Sequence, residues 1–270
     1  MSIEEIMTKW RLEEKNKQAS IDLWNSMAQG FGSREIPLWD ESRFLQLLQR
    51  NKMFNSDSAV LDVGCGAGNY SSALAKRCRK VVGVDLSPNM IKIARQKAVQ
   101  GNIENVEYNC ADWHEINLAE AGYEKKFDLV FAHMTPAVQS SDTFQKLSLA
   151  SRGWCVLSKP TRRTDPVSDA VKKLVGITKK RESSDRDILY AFELLWYQGL
   201  QPHFEYEQQH WNLRKTLEEA YELYINRVLT YRDITREEEQ GIKAYLNSIV
   251  KDGFLCGEVD TTITTLYWHI

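Results

Sequence analysis

Val60-Leu61-Asp62-Val63-Gly64-Cys65-Gly66-Ala67-Gly68, followed by Val81-Val82-Gly83-Val84-Asp85, is the stretch whose reading decides the fold. Ala59 to Val63 reads as a short buried strand, Asn69 to Arg79 as a helix, and Val81 to Asp85 as a second apolar strand. Three glycines at alternate positions stand between the first strand and the helix. Glycine lets the backbone turn tightly and lets a ligand approach with no Cβ in the way. The helix start beyond Gly68 adds unpaired N–H groups and the positive end of a dipole. Asp85 closes the second strand, where a carboxylate meets ribose hydroxyls in nucleotide sites of this kind. The segment therefore predicts a nucleotide-type site at the first strand-to-helix turn of a parallel sheet.

The pattern continues outward. Ser87 caps a helix from Pro88 to Gln100, and further strands are expected at Val106–Cys110, Phe127–Ala132 and Trp154–Ser158. Strands alternating with helices mean βαβ units and an α/β doubly wound, mostly parallel sheet. Before it, residues 1–50 read as helical, with Leu23, Trp24, Met27 and Ala28 on one face. Asp40 or Ser42 can cap a second helix that turns Phe44, Leu45, Leu47 and Leu48 inward. After it, residues 161–200 are polar and partly helical, Phe204 to Gln208 alternates as a strand does, helices are expected at 216–229 and 237–250, and Thr261 to His269 is β-rich. The organisation expected is a helical segment over the site (1–50), a binding core (51–160), and the remainder of the sheet with helical cap insertions (161–270).

The motif separates candidate ligands. A dinucleotide fingerprint needs glycine at 69, where Asn69 stands, and no Gly-Lys-Ser/Thr phosphate loop is present. An acidic Asp62 two residues before the first glycine is unhelpful to pyrophosphate. It suits a ligand with a cationic amino group.

On these residues the chain resembles the class I S-adenosylmethionine-dependent methyltransferases, which have a Rossmann-like fold. VLDVGCGAG is similar to their motif I, VVGVDLSPNMI to motif II, NCADWHEI to the segment after the third strand, and FDLVFAHMTPAV to the motif IV region. The resemblance is specific from about residue 59 to 160. It implies S-adenosyl-L-methionine as cofactor, S-adenosyl-L-homocysteine as product, and in-line methyl transfer. It places Asp62, Gly64, Cys65, Gly66 and Gly68 around the cofactor and Asp85 on the ribose. Leu86 and Met90 then flank the adenosine, Ala111 gives backbone contacts, Asp112 meets the adenine amino group, and Trp113 lies beside the ring. The blander reading makes Asp112 a turn cap and Trp113 a packing residue.

Methyl transfer needs a placed nucleophile and excluded water, and a general base only where a proton must leave. His133, at the end of a central strand, is the candidate base and a candidate cofactor contact. Trp24, Phe31, Trp39, Trp196, Tyr197, His210 and Trp211 are the candidate substrate-pocket residues. The Asp/Asn-Pro-Pro-Tyr/Phe signature of base-amino methyltransferases is missing after the fourth strand; the chain reads Ala132-His133-Met134-Thr135-Pro136 there. No Asp/Asp/Asn metal set is assigned, and Cys65, Cys78, Cys110, Cys155 and Cys256 form no C-x-x-C pair, so no metal is expected.

Composition sets the outer limits. The chain has 270 residues, 43% apolar and 27% charged, with a formal net charge of -2. That balance calls for neither nucleic acid nor an anionic membrane. No signal peptide opens it and no run approaches a spanning helix, so a cytoplasmic protein, monomer or homodimer, is expected. Lys159, Arg162, Arg163, Lys172, Lys173, Lys179, Lys180 and Arg181 form a local basic run. The reading adopted is a small-molecule methyltransferase. An RNA or protein methyltransferase using the run 159–181, and a non-catalytic S-adenosylmethionine-binding protein, stay open as alternatives.

Overall fold

The computed structural model describes residues 2–11, 16–177 and 183–270. Lys179, Lys180 and Arg181 of the basic run lie outside the described residues. Seven strands form one sheet in the order β3-β2-β1-β4-β5-β7-β6. They are β1 (Ala59–Val63), β2 (Lys80–Asp85), β3 (Val106–Cys110), β4 (Phe127–His133), β5 (Ser151–Thr164), β6 (His203–Thr216) and β7 (Phe254–His269). The pairings from β3 through β5 are parallel, and β7 runs antiparallel to both β5 and β6. Chain order reverses between β1 and β4, which opens a crevice at their carboxyl ends.

The central strands are apolar on both faces because helices cover both. On one face Leu61, Val63, Val130, Ala132 and Leu157 pack in a core closed by α1 (Ile3–Lys9), α6 (Ser141–Ala150) and α8 (Ser183–Tyr197). On the other, Val60, Leu129, Phe131 and Val156 meet α3 (Arg43–Arg50) and α4 (Asn69–Ala75). Ser42 caps α3, and Phe44, Leu45, Leu47 and Leu48 are buried, so the period read from the sequence is the one the helix uses. Ser87 likewise caps α5 (Pro88–Gln100), with proline in the first turn where its missing N–H costs nothing.

Three strands run longer than the sequence suggested. β5, β6 and β7 extend past the sheet as a twisted hairpin, in which β7 pairs with every residue of β6 from His203 to Thr216. In β6 the alternation was legible from Phe204 to Gln208, and the polar continuation from Gln209 to Thr216 hid the rest of the strand. On this hairpin α7 (Pro166–Leu174), α9 (Leu217–Leu229) and α10 (Arg236–Ile249) gather a separate core around Tyr224, Leu223, Ile242 and Leu246. α2 (Lys17–Gly32) joins it through Leu23 and Met27, and so bridges this cap to α5 of the sheet domain. No helix among the described residues is long and apolar enough to cross a membrane.

Candidate active site

The loop after β1 carries three glycines at positive φ: Gly64 at +72°, Gly66 at +54° and Gly68 at +74°. They serve different ends. A Cβ on Gly64 would lie 1.9 Å from Thr135 Oγ1, and one on Gly68 would lie 2.4 Å from the Tyr108 hydroxyl. These two make room for the protein itself. A Cβ on Gly66 would meet nothing nearer than Met90 Sδ at 3.9 Å, so Gly66 leaves an open floor.

Asp85 braces that floor. Its Oδ2 accepts the Gly66 N–H at 2.9 Å and its Oδ1 accepts the Ser87 N–H at 2.8 Å. Burial raises its pKa. A carboxylate has about four acceptor sites, so lone pairs remain for hydroxyl donors. Asp62 stands behind the loop rather than on the cleft wall. It is 3% exposed, accepts the Ser71 hydroxyl at 2.6 Å, and burial pushes its pKa up to about 7. Asn69, which displaces the dinucleotide glycine, opens α4 and accepts from Lys97 Nζ at 2.5 Å.

A cleft of about 2590 Å³ spreads from this floor to the hairpin. Ordinary small-ligand pockets hold roughly 300–1,000 Å³, so there is space for a cofactor and an acceptor together. Gly64, Cys65, Gly66, Asp85, Leu86, Met90, Ala111, Asp112 and His133 all line it, and Gly68 does not. Asp112 is a turn cap as well as a wall residue: its Oδ1 accepts the His114 N–H at 3.0 Å, and Lys17 Nζ lies 3.4 Å from its Oδ2. α2 roofs the cleft because Asn25 Oδ1 accepts from Ser87 Oγ at 2.7 Å and from the Asn89 N–H. This places Trp24 and Phe31 on the wall.

His133 ends β4 with its ring 4.0 Å from Phe44 and 4.5 Å from Tyr70, centroid to centroid. Its Nδ1 is buried without a partner, and desolvation lowers its pKa to about 3. The imidazole is therefore neutral at pH 7. His210 and Trp211 also line the cleft. His210 Nδ1 pairs with Asp260 at 2.7 Å, and Trp211 Nε1 donates to Gln209 Oε1 with the Arg163 guanidinium 5.3 Å from its ring.

Three further expected positions lie away from the cleft, and a fourth touches it only in part. Trp39 packs on Phe54 and under Arg77, away from the cleft, because its loop folds onto the α3 face. Trp196 and Tyr197 sit at the outer end of α8, 60% and 50% exposed, where the helix leaves the sheet. Trp113 lines the cleft, but its indole is 2% exposed, packs in the core and donates to the Thr143 carbonyl at 3.0 Å, so most of its side chain is committed to packing. Tyr70, Thr135, Trp10 and Tyr190, which sequence reasoning passed over, line the cleft instead. Tyr70 and Thr135 follow the glycine loop and β4 closely enough to have been inferred; Trp10 and Tyr190 come together only in three dimensions.

Fold and site together define a Rossmann-like S-adenosylmethionine-dependent methyltransferase of class I. The family described as "Methyltransferase domain" matches residues 54–196, over half of the chain, and the chain belongs to it. Curated relatives match only part of the chain. The 23S rRNA (uracil(1939)-C(5))-methyltransferase RlmD of Legionella pneumophila (strain Corby) is 36% identical over 84 residues, 30% of this chain and 19% of that protein. The malonyl-[acyl-carrier protein] O-methyltransferase of Priestia megaterium is 31% identical over 84 residues, 30% of this chain and 28% of that protein. The chain thus spans about a fifth of the length of the first of these relatives. Among solved structures, the YcgJ protein of Bacillus subtilis aligns with a TM-score of 0.53 at 19% identity, over 83% of this chain and 96% of that one. A Haemonchus contortus phosphoethanolamine N-methyltransferase 2, solved with S-adenosylhomocysteine, aligns at 0.51 and 16% identity, over all of this chain and 60% of that one. At such identities the likeness speaks for the fold.

Proposed function

We propose that this methyltransferase acts on a small molecule held between the sheet edge and the cap. One observation carries the reading: four cations that line the cleft beside the cap are paired with neighbouring carboxylates. Arg163 and Arg227 both pair with Asp165, Lys159 with Asp187, and Arg232 with Glu238. A nucleic-acid groove instead presents cations to phosphate, and its affinity rests on them. The RNA-modifying relatives share less than half of the chain with it, 30% in the first and 43% in a longer match, which leaves the acceptor open.

S-adenosylmethionine supplies an electrophilic methyl group on a sulfonium. In this reading Gly64, Cys65 and Gly66 form its floor, Asp85 takes the ribose hydroxyls on its spare lone pairs, and Leu86 and Met90 bound the adenosine. Ala111 and Asp112 meet the base through the turn that Asp112 caps. Asp62 acts from behind the loop as a buried acidic group, and Gly68 and Trp113 act through packing. The neutral His133 imidazole can accept a hydrogen bond from an acceptor hydroxyl or amine, but a group with so low a pKa cannot hold a proton at neutral pH. It therefore serves as an orienting partner rather than a strong base. α2, with Trp24 and Phe31, excludes water.

The test has two arms. S-adenosylhomocysteine should bind and raise the melting temperature, and a radiolabelled methyl group should pass to a compound in a metabolite panel. Absence of S-adenosylhomocysteine binding removes the cofactor assignments. Label entering total RNA or protein but no metabolite removes the small-molecule acceptor.

A further inference from the structure

β6 is the edge of the sheet, and it is long and regular. It runs 14 residues, pairs with β7 along its whole length without a register shift, and none of its residues is fully buried. Among the described residues, no other segment takes backbone hydrogen bonds from its free side between His203 and Lys215. It contains no proline and no bulge. A free edge of this kind is a template for another strand, and stable proteins cover or interrupt it.

The charge along β6 suggests what covers it. The strand is acidic at its start, with Glu205 and Glu207, and basic at its end, with Arg214 and Lys215. Turned end for end, it is complementary to itself. A two-fold axis perpendicular to the sheet brings two copies of β6 together antiparallel and keeps each face of the sheet on its own side. Opposite residues must then be both odd or both even, because side chains alternate. Centring the axis on His210 sets Glu205 opposite the partner's Lys215 and Tyr206 opposite the partner's Arg214, each twice by symmetry. Opposite-charge and cation–aromatic pairs at these positions are the favourable cross-strand kind. Glu205 already pairs with Arg50 of α3, so the partner's Lys215 joins an existing cluster. Tyr206, 62% exposed at the end of a row of stacked rings with Phe204, Phe192 and Trp196, would be covered at the same time.

We propose that the protein forms a two-fold homodimer in which the β6 strands of two copies pair antiparallel about His210, joining two seven-stranded sheets into one. The proposal is independent of the acceptor and of the cofactor assignments. Light scattering after size exclusion, at tens of micromolar, should give the mass of two chains.

Reversing one charge puts like charges opposite each other twice. Glu205→Lys or Lys215→Glu alone should therefore raise the dimer dissociation constant about tenfold. The double variant Glu205→Lys/Lys215→Glu restores opposite signs and should return to within about threefold of the native value. Far-ultraviolet circular dichroism and a melting temperature check that each variant folds, and the rescue by the double variant excludes a folding defect as the cause. A monomeric native protein overturns the proposal. So does a dimer that tolerates both single reversals, or one that the double variant fails to restore.

Discussion

Two of the three glycines in the cofactor loop, Gly64 and Gly66, should fail in different ways when each is replaced by alanine. Both have positive φ, so either alanine carries a backbone cost of about 1–2 kcal/mol. At Gly64 the new Cβ also falls 1.9 Å from Thr135 Oγ1 and 2.6 Å from Thr135 Cβ. The loop after β4 must then move, which adds roughly 1–3 kcal/mol of overpacking. The total for Gly64→Ala is about 2–5 kcal/mol. In a chain of this size, at roughly 2–4 °C per kcal/mol, the melting temperature should fall by about 10 °C. Gly66→Ala meets nothing within 3.9 Å, so only the backbone cost applies and the fall should be about 3–6 °C. That Cβ stands on the open floor, so S-adenosylhomocysteine affinity should drop at least about tenfold, or 1.4 kcal/mol. Differential scanning fluorimetry and isothermal titration calorimetry read the two effects separately. Equal melting temperatures for the two variants, or native affinity in Gly66→Ala, would refute the division of labour.

Asp85→Ala should weaken S-adenosylhomocysteine binding about tenfold or more, since it removes the brace on the Gly66 N–H together with the spare lone pairs; calorimetry with unchanged affinity would remove the ribose assignment. Asp62, whose pKa burial pushes up to about 7, is ionised in the unfolded chain above about pH 4 and disfavoured as an anion in the fold, so its cost to stability grows between pH 4 and 7 and is constant above. Asp62→Asn should therefore gain stability over the native protein as pH rises through that window, and urea titrations at pH 4.5 and 8 that show no such divergence contradict it. His133, lowered to about 3, is neutral in the fold throughout the physiological range, so turnover between pH 6 and 9 should show no inflection that His133→Asn abolishes. Trp24→Ala should raise the S-adenosylhomocysteine dissociation constant several-fold by opening the roof, while Trp196→Ala, at an exposed helix end, leaves it unchanged.

Much of the cofactor half was legible in the chain. The alternation of apolar runs with capped helices, Ser42 before Phe44 and Ser87 before Pro88, fixes elements through hydrogen bonds and packing between near neighbours. The glycines at 64, 66 and 68 mark backbone that must take positive φ, which is a local demand. The placement of Asp85 at a strand end follows from the βαβ order alone. Local chemistry is what a sequence records directly.

The other half depended on long-range contact. Trp39, Trp113 and Trp196 look alike as residues, yet the first packs beneath an arginine, the second donates to a carbonyl in the core and the third stands in solvent. Which aromatic faces the cleft is decided by how helices lie on the sheet, and no spacing along the chain encodes that. The same holds for the cap. The polar halves of β5, β6 and β7 find their hydrogen bonds only from one another, so their length appears only once they pair. The sequence by itself determined the parallel sheet, the loop and the class of cofactor, because each rests on local backbone and side-chain demands. The tertiary structure alone decided the roof of α2, the paired cations of the cleft wall and the packing around His133, because each arises between segments far apart in the chain.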